Sequence, residues 1–342
     1  MSEQPLGVAI VGVGGIALEH MTALRSTNLA NLVAVFDLDT DRAEEIAHVE
    51  RCEHFSDLDA MLRAELVEAV IVCTPNITHA ELGRKVLRAG KHLLMEKPLA
   101  MTDDDAQDLV DLAEERELTL AVGHSHRFSD QGVAIDEAIR AGAVGTPRFI
   151  RVVINGGWIW PGWQAWVLNP ELSGGHSMHN GVHLTDMASW WLGEKAESVF
   201  SVGQHATSAA MGIYDYLAIE LGFPSGASAV LEVSRGERPR SANYLEITVV
   251  GSEGVLTREW DAQGVLAWTE EGSAAWGTTG SGARTFVREM ESFVAAARGD
   301  APVVPPLEFA IHAVAVAQAS ERSLATGTTV RLAESTSDQS GK

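Results

Sequence analysis

The stretch 6-LGVAIVGVGGIA-17 identifies the fold, because a short apolar run precedes a glycine-rich turn and a helical pattern follows it. This is the G-x-G-x-x-A form of a dinucleotide-binding turn. Gly12 permits the tight turn, Gly14 leaves room for a pyrophosphate at the backbone, and Ala17 lets the helix pack close to the strand. The unpaired N–H groups at the helix start, around Gly15-Ile16, then face the phosphates. The stretch therefore predicts a bound nicotinamide dinucleotide.

A second apolar strand supports this interpretation of the turn. Residues 32–36, Leu-Val-Ala-Val-Phe, lead directly into Asp37. An acid at this point accepts hydrogen bonds from both adenosine ribose hydroxyls and repels a 2′-phosphate, so it favours NAD over NADP. The alternatives are that Asp37 is an ordinary acid at a strand end, or that Asp39 is the residue that binds the ribose.

Length and composition limit the class of protein. A chain of 342 residues with 46% hydrophobic and 21% charged residues is long enough for two globular domains. The net charge of −22 repels nucleic acid and anionic membranes, so neither is expected as a partner. Two cysteines give no disulfide framework or zinc pattern, and no signal peptide or membrane span is visible. We therefore expect a cytoplasmic protein.

The chain changes its pattern near residue 125. Before it, strand and helix patterns alternate, which is typical of a parallel doubly wound sheet. After it come one long strand, a helix over 176–192, and alternating segments separated by turns, which predict an antiparallel sheet. Two helices, 284–298 and 307–325, close the chain. The predicted domains are therefore a Rossmann domain over 1–125, an α+β domain over 126–334, and a disordered tail over 335–342.

Glu96, Lys97 and Pro98 follow the apolar strand at 93–95. Ligands bind beyond the carboxyl ends of the strands in a doubly wound sheet, so Lys97 is delivered to the place where a nicotinamide and a substrate meet. A partly apolar wall there should favour the neutral amine, which suits proton transfer or polarisation of an alcohol oxygen. The alternative is a surface lysine that pairs with Glu96.

The segment Thr74-Pro75-Asn76-Ile77-Thr78-His79 follows another predicted strand of the same sheet. Pro75 and Asn76 form a turn, and Asn76 with the backbone is expected to line the nicotinamide ribose or ring. His79 is placed to reach the ribose. For His79, a helix entry capped by Thr78 is an equally good explanation.

The predicted domain ends in Gly123-His124-Ser125-His126-Arg127-Phe128. We expect His126 and Arg127 to face the cleft beyond the strand, where Arg127 would hold Glu96 or the substrate. His124 and Ser125 are expected to serve packing.

The densest polar cluster is Gly174–Asp186, in which His179, His183 and Asp186 share one helix face. His176 extends the same stripe by one turn. A stripe of histidines with an acid favours proton transfer, since His titrates near neutral pH and Asp fixes its tautomer. A metal site is the alternative, because His-x3-His spacing binds zinc well. Buried structural histidines are the third.

Four tryptophans, at positions 158, 160, 163 and 166, lie among glycines and a proline. Indole rings in such a loop stack on the apolar faces of sugar rings, and Trp163 is the candidate contact. A subunit interface, or a loop anchored on its own aromatics, explains the cluster equally well.

Taken in order, these motifs resemble the Gfo/Idh/MocA family, the glucose–fructose oxidoreductase and inositol dehydrogenase group. The resemblance covers roughly residues 5–332 and depends on the motifs Gly12–Ala17, Thr74–His79, Glu96–Pro98, Gly123–Phe128 and Gly174–Asp186. It implies a Rossmann domain followed by an α+β domain with a large open antiparallel sheet, through which family members commonly form dimers and tetramers. It also implies NAD(P)-dependent oxidation of a secondary alcohol of a sugar or cyclitol, or reduction of the ketone. The resemblance makes Lys97 and His183 the catalytic pair.

One motif departs from the family pattern. The aspartate of D-x-G-x-H is His179 here, and the third glycine of the G-G-G run is His176. An imidazole thus replaces a carboxylate that usually hydrogen-bonds two hydroxyls. Substrates other than the usual polyol stay open, as does a metal-assisted variant that uses the face of His179 and His183.

We therefore predict an NAD-dependent dehydrogenase of α/β class that acts on a carbohydrate or cyclitol as a homodimer or homotetramer, with no metal site. The predicted cofactor contacts are Gly12, Gly14, Gly15, Ile16, Ala17, Asp37, Thr74, Pro75, Asn76, His79, Glu96 and Lys97. The predicted substrate contacts are His179, Asp186, Arg127, His126 and Trp163. An NAD-retaining glycoside hydrolase or lyase that works by transient oxidation is one alternative. A non-catalytic sugar or nucleotide sensor is another, and the pair Lys97 and His183 argues against it.

Overall fold

The computed structural model describes residues 4–156, 166–205, 212–236, 243–259, 264–269, 272–278 and 284–332. The chain divides into two compact units, the first made of 1–130 with 280–314 and the second of 131–279 with 315–342. The first division lies close to the predicted boundary at 125. The return of 280–314 to the first unit was not expected, and the predicted tail over 335–342 lies outside the described residues.

The secondary structure alternates in the first unit and is rich in strands in the second. The strands are β1 Leu6–Val11, β2 Ala30–Phe36, β3 Glu53–His54, β4 Ala69–Val72, β5 His92–Glu96, β6 Leu120–Gly123, β7 Pro147–Gly156, β8 Ser198–Gln204, β9 Tyr216–Gly222, β10 Ser228–Ser234, β11 Asn243–Gly251, β12 Gly254–Arg258, β13 Gly264–Thr269, β14 Gly272–Thr278 and β15 Val330–Arg331. The helices are α1 Gly15–Ser26, α2 Thr40–Glu50, α3 Leu58–Arg63, α4 His79–Arg88, α5 Asp103–Glu115, α6 Asp130–Arg140, α7 Pro170–Ser173, α8 Val182–Leu192, α9 Thr285–Ala297 and α10 Leu307–Thr326. None of the described helices combines the length and the hydropathy needed to cross a lipid bilayer.

The first unit contains a six-stranded parallel sheet in the order β3-β2-β1-β4-β5-β6. All six residues of β1 are buried, because helices cover both faces of a parallel sheet. The direction of chain progression reverses between β1 and β4. That switch point is where open α/β sheets bind their ligands, so the topology locates the site at the carboxyl ends of these strands.

Two apolar cores cover the two faces of this sheet. Ala9 and Val11 join the core that α3, α4 and α5 complete, while Val8 and Ile10 join the opposite core. The second core also takes four apolar residues of α9, a helix that packs against α1: Val287, Met290, Phe293 and Val294. This packing explains why residues 280–314 belong to the first unit.

The second unit contains a nine-stranded sheet in the order β14-β13-β12-β11-β7-β10-β9-β8-β15. Its neighbouring strands run antiparallel except β7 and β10, which run parallel. The predicted antiparallel sheet is confirmed apart from this one parallel pair, which the sequence did not indicate because the alternation that identifies a strand carries no information about its direction. Apolar residues of α6, α8 and the second half of α10 cover one face of the sheet.

Candidate active site

The glycine turn after β1 has the geometry that a dinucleotide requires. Gly12 has a φ of +87°, and a Cβ there would lie 2.7 Å from the carbonyl oxygen of Cys73. A Cβ at Gly14 would have no described atom within 4 Å, so the turn is open at that point. No described side chain caps the start of α1, and its first turn contains no acidic residue. These N–H groups therefore fit a pyrophosphate, in agreement with the sequence.

Asp37 follows β2 and reaches back to the glycine turn. Its Oδ2 accepts a hydrogen bond from the Val13 amide at 2.8 Å, and its Oδ1 accepts one from the Asp39 amide at 2.9 Å. The Arg42 guanidinium lies 3.6 Å from Asp37 Oδ1 and 3.1 Å from Asp39 Oδ2. The Asp39 side chain also caps α2 by accepting from the Arg42 amide. Asp37 therefore lies at the glycine turn, whereas the Asp39 side chain caps α2.

His79 connects two of the predicted cofactor segments. Its ring is fully buried, with Nδ1 2.6 Å from the Pro98 carbonyl oxygen and Nε2 2.9 Å from that of Thr74. Burial lowers the pKa of His79, although both carbonyls and Glu96 act in the opposite direction. Asn76 is also buried, at the start of a short 3-10 turn. In this structure the His79 ring lies between carbonyl oxygens of the two loops, whereas among the described residues the Thr78 side chain does not cap α4. The predicted contact of His79 with ribose stays a prediction.

Glu96 is the buried centre of the third segment. Its Oε1 lies 2.9 Å from His20 Nε2 on α1, and its Oε2 accepts a hydrogen bond from the Lys97 amide at 3.1 Å. Burial alone would raise the pKa of Glu96, but the hydrogen bond from His20 and the charges of His20 and Lys97 outweigh it. The pKa of Glu96 therefore lies below its usual range. The Lys97 side chain itself is half-buried.

A second carboxyl, that of Glu289 on α9, is buried in the same unit. Neither of its oxygens has a hydrogen-bond partner among the described residues. Burial, with the negative charge of Glu96, raises the pKa of Glu289 well above its usual range. Burial also raises the pKa of the Cys73 thiol, and Glu96 and Glu289 add to that effect. Both shifts favour the protonated forms of Glu289 and Cys73.

The segment after β6 forms a 3-10 turn over Ser125–Phe128. Arg127 is buried and its guanidinium lies 5.5 Å from the centre of the Phe309 ring, a cation–π contact. His126 is half-buried, and its carbonyl oxygen accepts a hydrogen bond from Ser129 Oγ at 2.7 Å. Their predicted contacts with substrate stay predictions.

In the second unit, the polar cluster lies on a π-helical turn, Ser177–Gly181, that continues into α8. His179 and His183 are half-buried, whereas His176 and Asp186 are buried. The rings of Trp166 and His179 form a T-shaped contact, with a centroid distance of 5.2 Å and an interplanar angle of 85°. Single π turns within helices are frequent at functional sites, which agrees with the predicted role of this segment.

Buried serine hydroxyl groups form hydrogen bonds with the π turn. Ser320 Oγ on α10 lies 2.9 Å from Ser177 Oγ and 2.8 Å from Ser201 Oγ. The neighbouring Glu321 carboxyl hydrogen-bonds Ser177, and burial raises its pKa. Gly175, with a φ of +77°, leaves room for that carboxyl, because a Cβ there would lie 2.8 Å from Glu321 Oε1.

Two further predictions concern this unit. The predicted contact Trp163 lies outside the described residues, as do the tryptophans at 158 and 160. Within the described parts of the chain, no group of three or more His, Cys, Asp or Glu side chains is arranged to hold a metal ion.

The sequence missed His20, Glu289 and Ser320. His20 follows Ala17 by three positions and therefore lies on the buried face of α1, and a polar residue at such a position is the signal that could have found it. Glu289 and Ser320 interrupt the apolar faces of α9 and α10 in the same way.

Comparisons with known proteins agree with this geometry. Residues 6–124 match the family model described as an oxidoreductase family with an NAD-binding Rossmann fold, and residues 133–257 match the GFO/IDH/MocA C-terminal domain. The inositol 2-dehydrogenase of Rubrobacter xylanophilus is 31% identical over 330 residues, 94% of this chain and 92% of that protein. The 2,7-anhydro-N-acetylneuraminate hydratase of Escherichia coli is 32% identical over 233 residues, 66% of this chain and 61% of that protein. The solved structure of GenD2 from gentamicin A biosynthesis, in complex with NAD, is 26% identical, covers 97% of each chain and has a TM-score of 0.86.

Proposed function

Because the chain belongs to the Gfo/Idh/MocA family of NAD-binding oxidoreductases, we propose that it oxidises a secondary alcohol of a sugar, sugar derivative or cyclitol, or reduces the corresponding ketone. The predicted α/β fold and the NAD cofactor are confirmed by the family and by the NAD complex of its structural relative. The specific substrate, the residue roles and the assembly are proposals.

The position of Lys97 carries the proposal. Lys97 follows β5 directly, at the same edge of the sheet as the open turn at Gly14. Its amide is held by the buried carboxylate of Glu96, and the next residue, Pro98, is bound through its carbonyl to His79. A lysine fixed on both sides beside a dinucleotide turn suits a group that must meet a reacting oxygen in one position.

The chain's residues divide the work as follows. NAD, when bound, supplies the acceptor for the hydrogen of the alcohol carbon. Lys97 stabilises the developing charge on the substrate oxygen, and His183 takes the hydroxyl proton or passes it on. His179 and Asp186 orient the substrate, and His126, Arg127 and Trp163 contact its remainder. Asp37 binds the adenosine ribose, and the turn Thr74-Pro75-Asn76 lines the nicotinamide side.

A substrate panel tests this function. Purified protein and NAD are incubated with sugars, cyclitols and sugar acids, with and without EDTA, while the absorbance of the reduced cofactor is followed. We expect reduction of NAD with at least one member of the panel, at the same rate in EDTA. Tight binding of a panel member without any reduction of NAD would favour the sensor, and loss of the rate in EDTA would favour the metal-assisted variant.

A second candidate is hydration or elimination that uses NAD without consuming it. The similarity to the 2,7-anhydro-N-acetylneuraminate hydratase favours it. In that reaction the cofactor is reduced and reoxidised within one turnover, so product would accumulate while the absorbance of reduced cofactor stays flat. Aryl glycosides and anhydro sugars in the panel, followed by chromatography of the products, separate the two candidates.

Location and assembly complete the proposal. We place the enzyme in the cytoplasm, which agrees with the two free thiols, Cys52 and Cys73. A homodimer or homotetramer is expected, and light scattering on the purified protein tests it. A monomer at micromolar concentration would contradict it.

A further inference from the structure

One buried carboxylate connects α1 to the main chain of Lys97. Glu96 uses Oε1 for His20 Nε2, at 2.9 Å, and Oε2 for the amide of Lys97, at 3.1 Å. The His20 side chain is completely buried, and Glu96 is 6% exposed. The helix that begins at the dinucleotide turn is therefore linked to the main chain of the proposed catalytic lysine by two hydrogen bonds of one carboxylate.

The surroundings hold both members of this link in one orientation. The Phe286 ring of α9 meets His20 edge-on, with a centroid distance of 5.2 Å and an interplanar angle of 83°. Gly123, at the end of the neighbouring strand β6, makes room for the acid, because a Cβ there would lie 3.2 Å from the carboxyl carbon of Glu96. The carboxylate is thus enclosed from α1, α9 and β6.

Titratable groups from several elements surround Glu96. His20 faces it from α1, Lys97 follows it, Cys73 ends β4, His79 begins α4, and Glu289 lies on α9. Burial raises the pKa of Cys73 and Glu289 and lowers that of His79, so it favours the neutral form of all three groups. Glu96 therefore holds the negative charge of this group, and His20 is its hydrogen-bond partner on the side away from Lys97.

We propose that His20 is a positioning residue for the oxidation: it fixes the carboxylate of Glu96, which in turn fixes the main chain of Lys97. The proposal depends on the function given above for Lys97. It predicts that His20 affects turnover through Glu96, without contacting the substrate or the cofactor.

Two replacements of His20 separate positioning from packing. His20→Leu removes the hydrogen bond at similar size, whereas His20→Gln keeps an N–H that can reach the carboxylate. We expect His20→Leu to lower kcat by about 10- to 100-fold, with the Kd for NAD within about threefold of the native value. His20→Gln should recover most of kcat. Equal losses in the two variants, or a native kcat in His20→Leu, would overturn the proposal.

The pH profile gives a readout that packing alone would not move. Without His20, burial favours the protonated form of Glu96, so His20→Leu should acquire an acidic limb in kcat that the native enzyme lacks. Glu96→Gln carries no such group and should show reduced kcat without the new limb. If His20→Leu shows no acidic limb, His20 does not act by holding the charge of Glu96.

The double variant tests whether the two residues act as one unit. His20→Leu should cost nothing further in a Glu96→Leu background, because a leucine at this position can make neither hydrogen bond of the link. Additive losses would refute the proposal, and the same comparison can be made with His20→Ala if the leucine variant does not fold.

Lys97→Met separates the proposed role of Lys97 from the proposed role of His20. If Lys97→Met turns over at the native rate, the proposed function of Lys97 fails. If it is inactive while His20→Leu is native in rate and pH profile, the inference about His20 fails alone.

Discussion

Asp37 should decide the choice between NAD and NADP. Asp37→Ser removes the carboxylate that would receive two ribose hydroxyls, and the serine hydroxyl can replace only one of its acceptor oxygens. The net loss is therefore about one hydrogen bond to a charged acceptor, which contributes about 1.5–3 kcal/mol. NAD should therefore bind about 10- to 150-fold more weakly. A 2′-phosphate about 5 Å from that carboxylate is repelled in water by about 0.8 kcal/mol per unit charge. Since the Arg42 guanidinium lies 3.6 Å from Asp37 Oδ1, it would also become available to the phosphate.

These two effects together should move the ratio of NAD to NADP affinity by about 10²–10³ toward NADP. Fluorescence titration with both reduced cofactors measures it. Asp37→Asn is the matched control for shape, because it keeps an acceptor for the Val13 amide but loses the charge and the second acceptor oxygen, which receives the Asp39 amide. Asp39→Ser is the control for position. If the ratio of NAD to NADP affinity in Asp37→Ser stays within threefold of the native ratio, Asp37 does not bind the ribose. If the ratio changes toward NADP in Asp39→Ser instead, Asp39 is the residue that binds it.

Three other substitutions test the architecture around the site. Gly12→Ala places a Cβ 2.7 Å from the Cys73 carbonyl oxygen at a φ of +87°, so we expect a loss of NAD binding and a Tm lower by several degrees; native binding would contradict the turn geometry. Burial raises the folded-state pKa of Glu289 well above its ordinary 4.5, so the protonated carboxyl contributes stability that is fully present below pH 4.5 and is lost as pH rises through the folded-state pKa. Glu289→Gln should therefore flatten the decline of unfolding free energy as pH rises above about 4.5, and an unchanged slope in urea titrations would disprove a raised pKa at Glu289. Ser320→Ala breaks the contacts to Ser177 and Ser201 and should cost about 1–3 kcal/mol in urea unfolding together with a higher KM; a loss of stability at native KM would show that these hydroxyls do not hold the π turn in its active form.

The first unit was accessible from sequence because its signals are local. The β1 run is continuously apolar since both faces of the sheet are covered, and Gly12 and Gly14 have distinct backbone reasons to be glycine. The motifs at Thr74 and Glu96 follow directly from the ends of β4 and β5. Such segments can be predicted from two things: their own hydrophobic periodicity, and the rule that parallel sheets bind ligands at the carboxyl ends of their strands.

The remaining features depend on partners distant in the chain. The apolar face of α9 predicts a helix, but nothing in its residues says that the partner is α1 rather than the second sheet. The pairing of His20 with Glu96 joins residues 76 positions apart. The parallel pair of β7 and β10 and the extra residue of the π turn at Ser177–Gly181 also leave no trace in hydrophobic spacing. The segments of β13 and β14 alternate only weakly and are rich in Gly and Ala, so hydrophobic spacing does not identify them as strands.

The turnover of Lys97→Met, measured with its affinity for NAD on the same sample, shows whether Lys97 acts on the reacting oxygen. Lys85→Met is the control, since Lys85 is exposed and pairs only with the neighbouring Glu81 in the same helix among its described contacts. The role proposed for Lys97 predicts a kcat lower by about 10²–10⁴ with the Kd for NAD within about threefold of native, and a native kcat in the control. A Lys97→Met enzyme that oxidises its substrate at the native rate would contradict it.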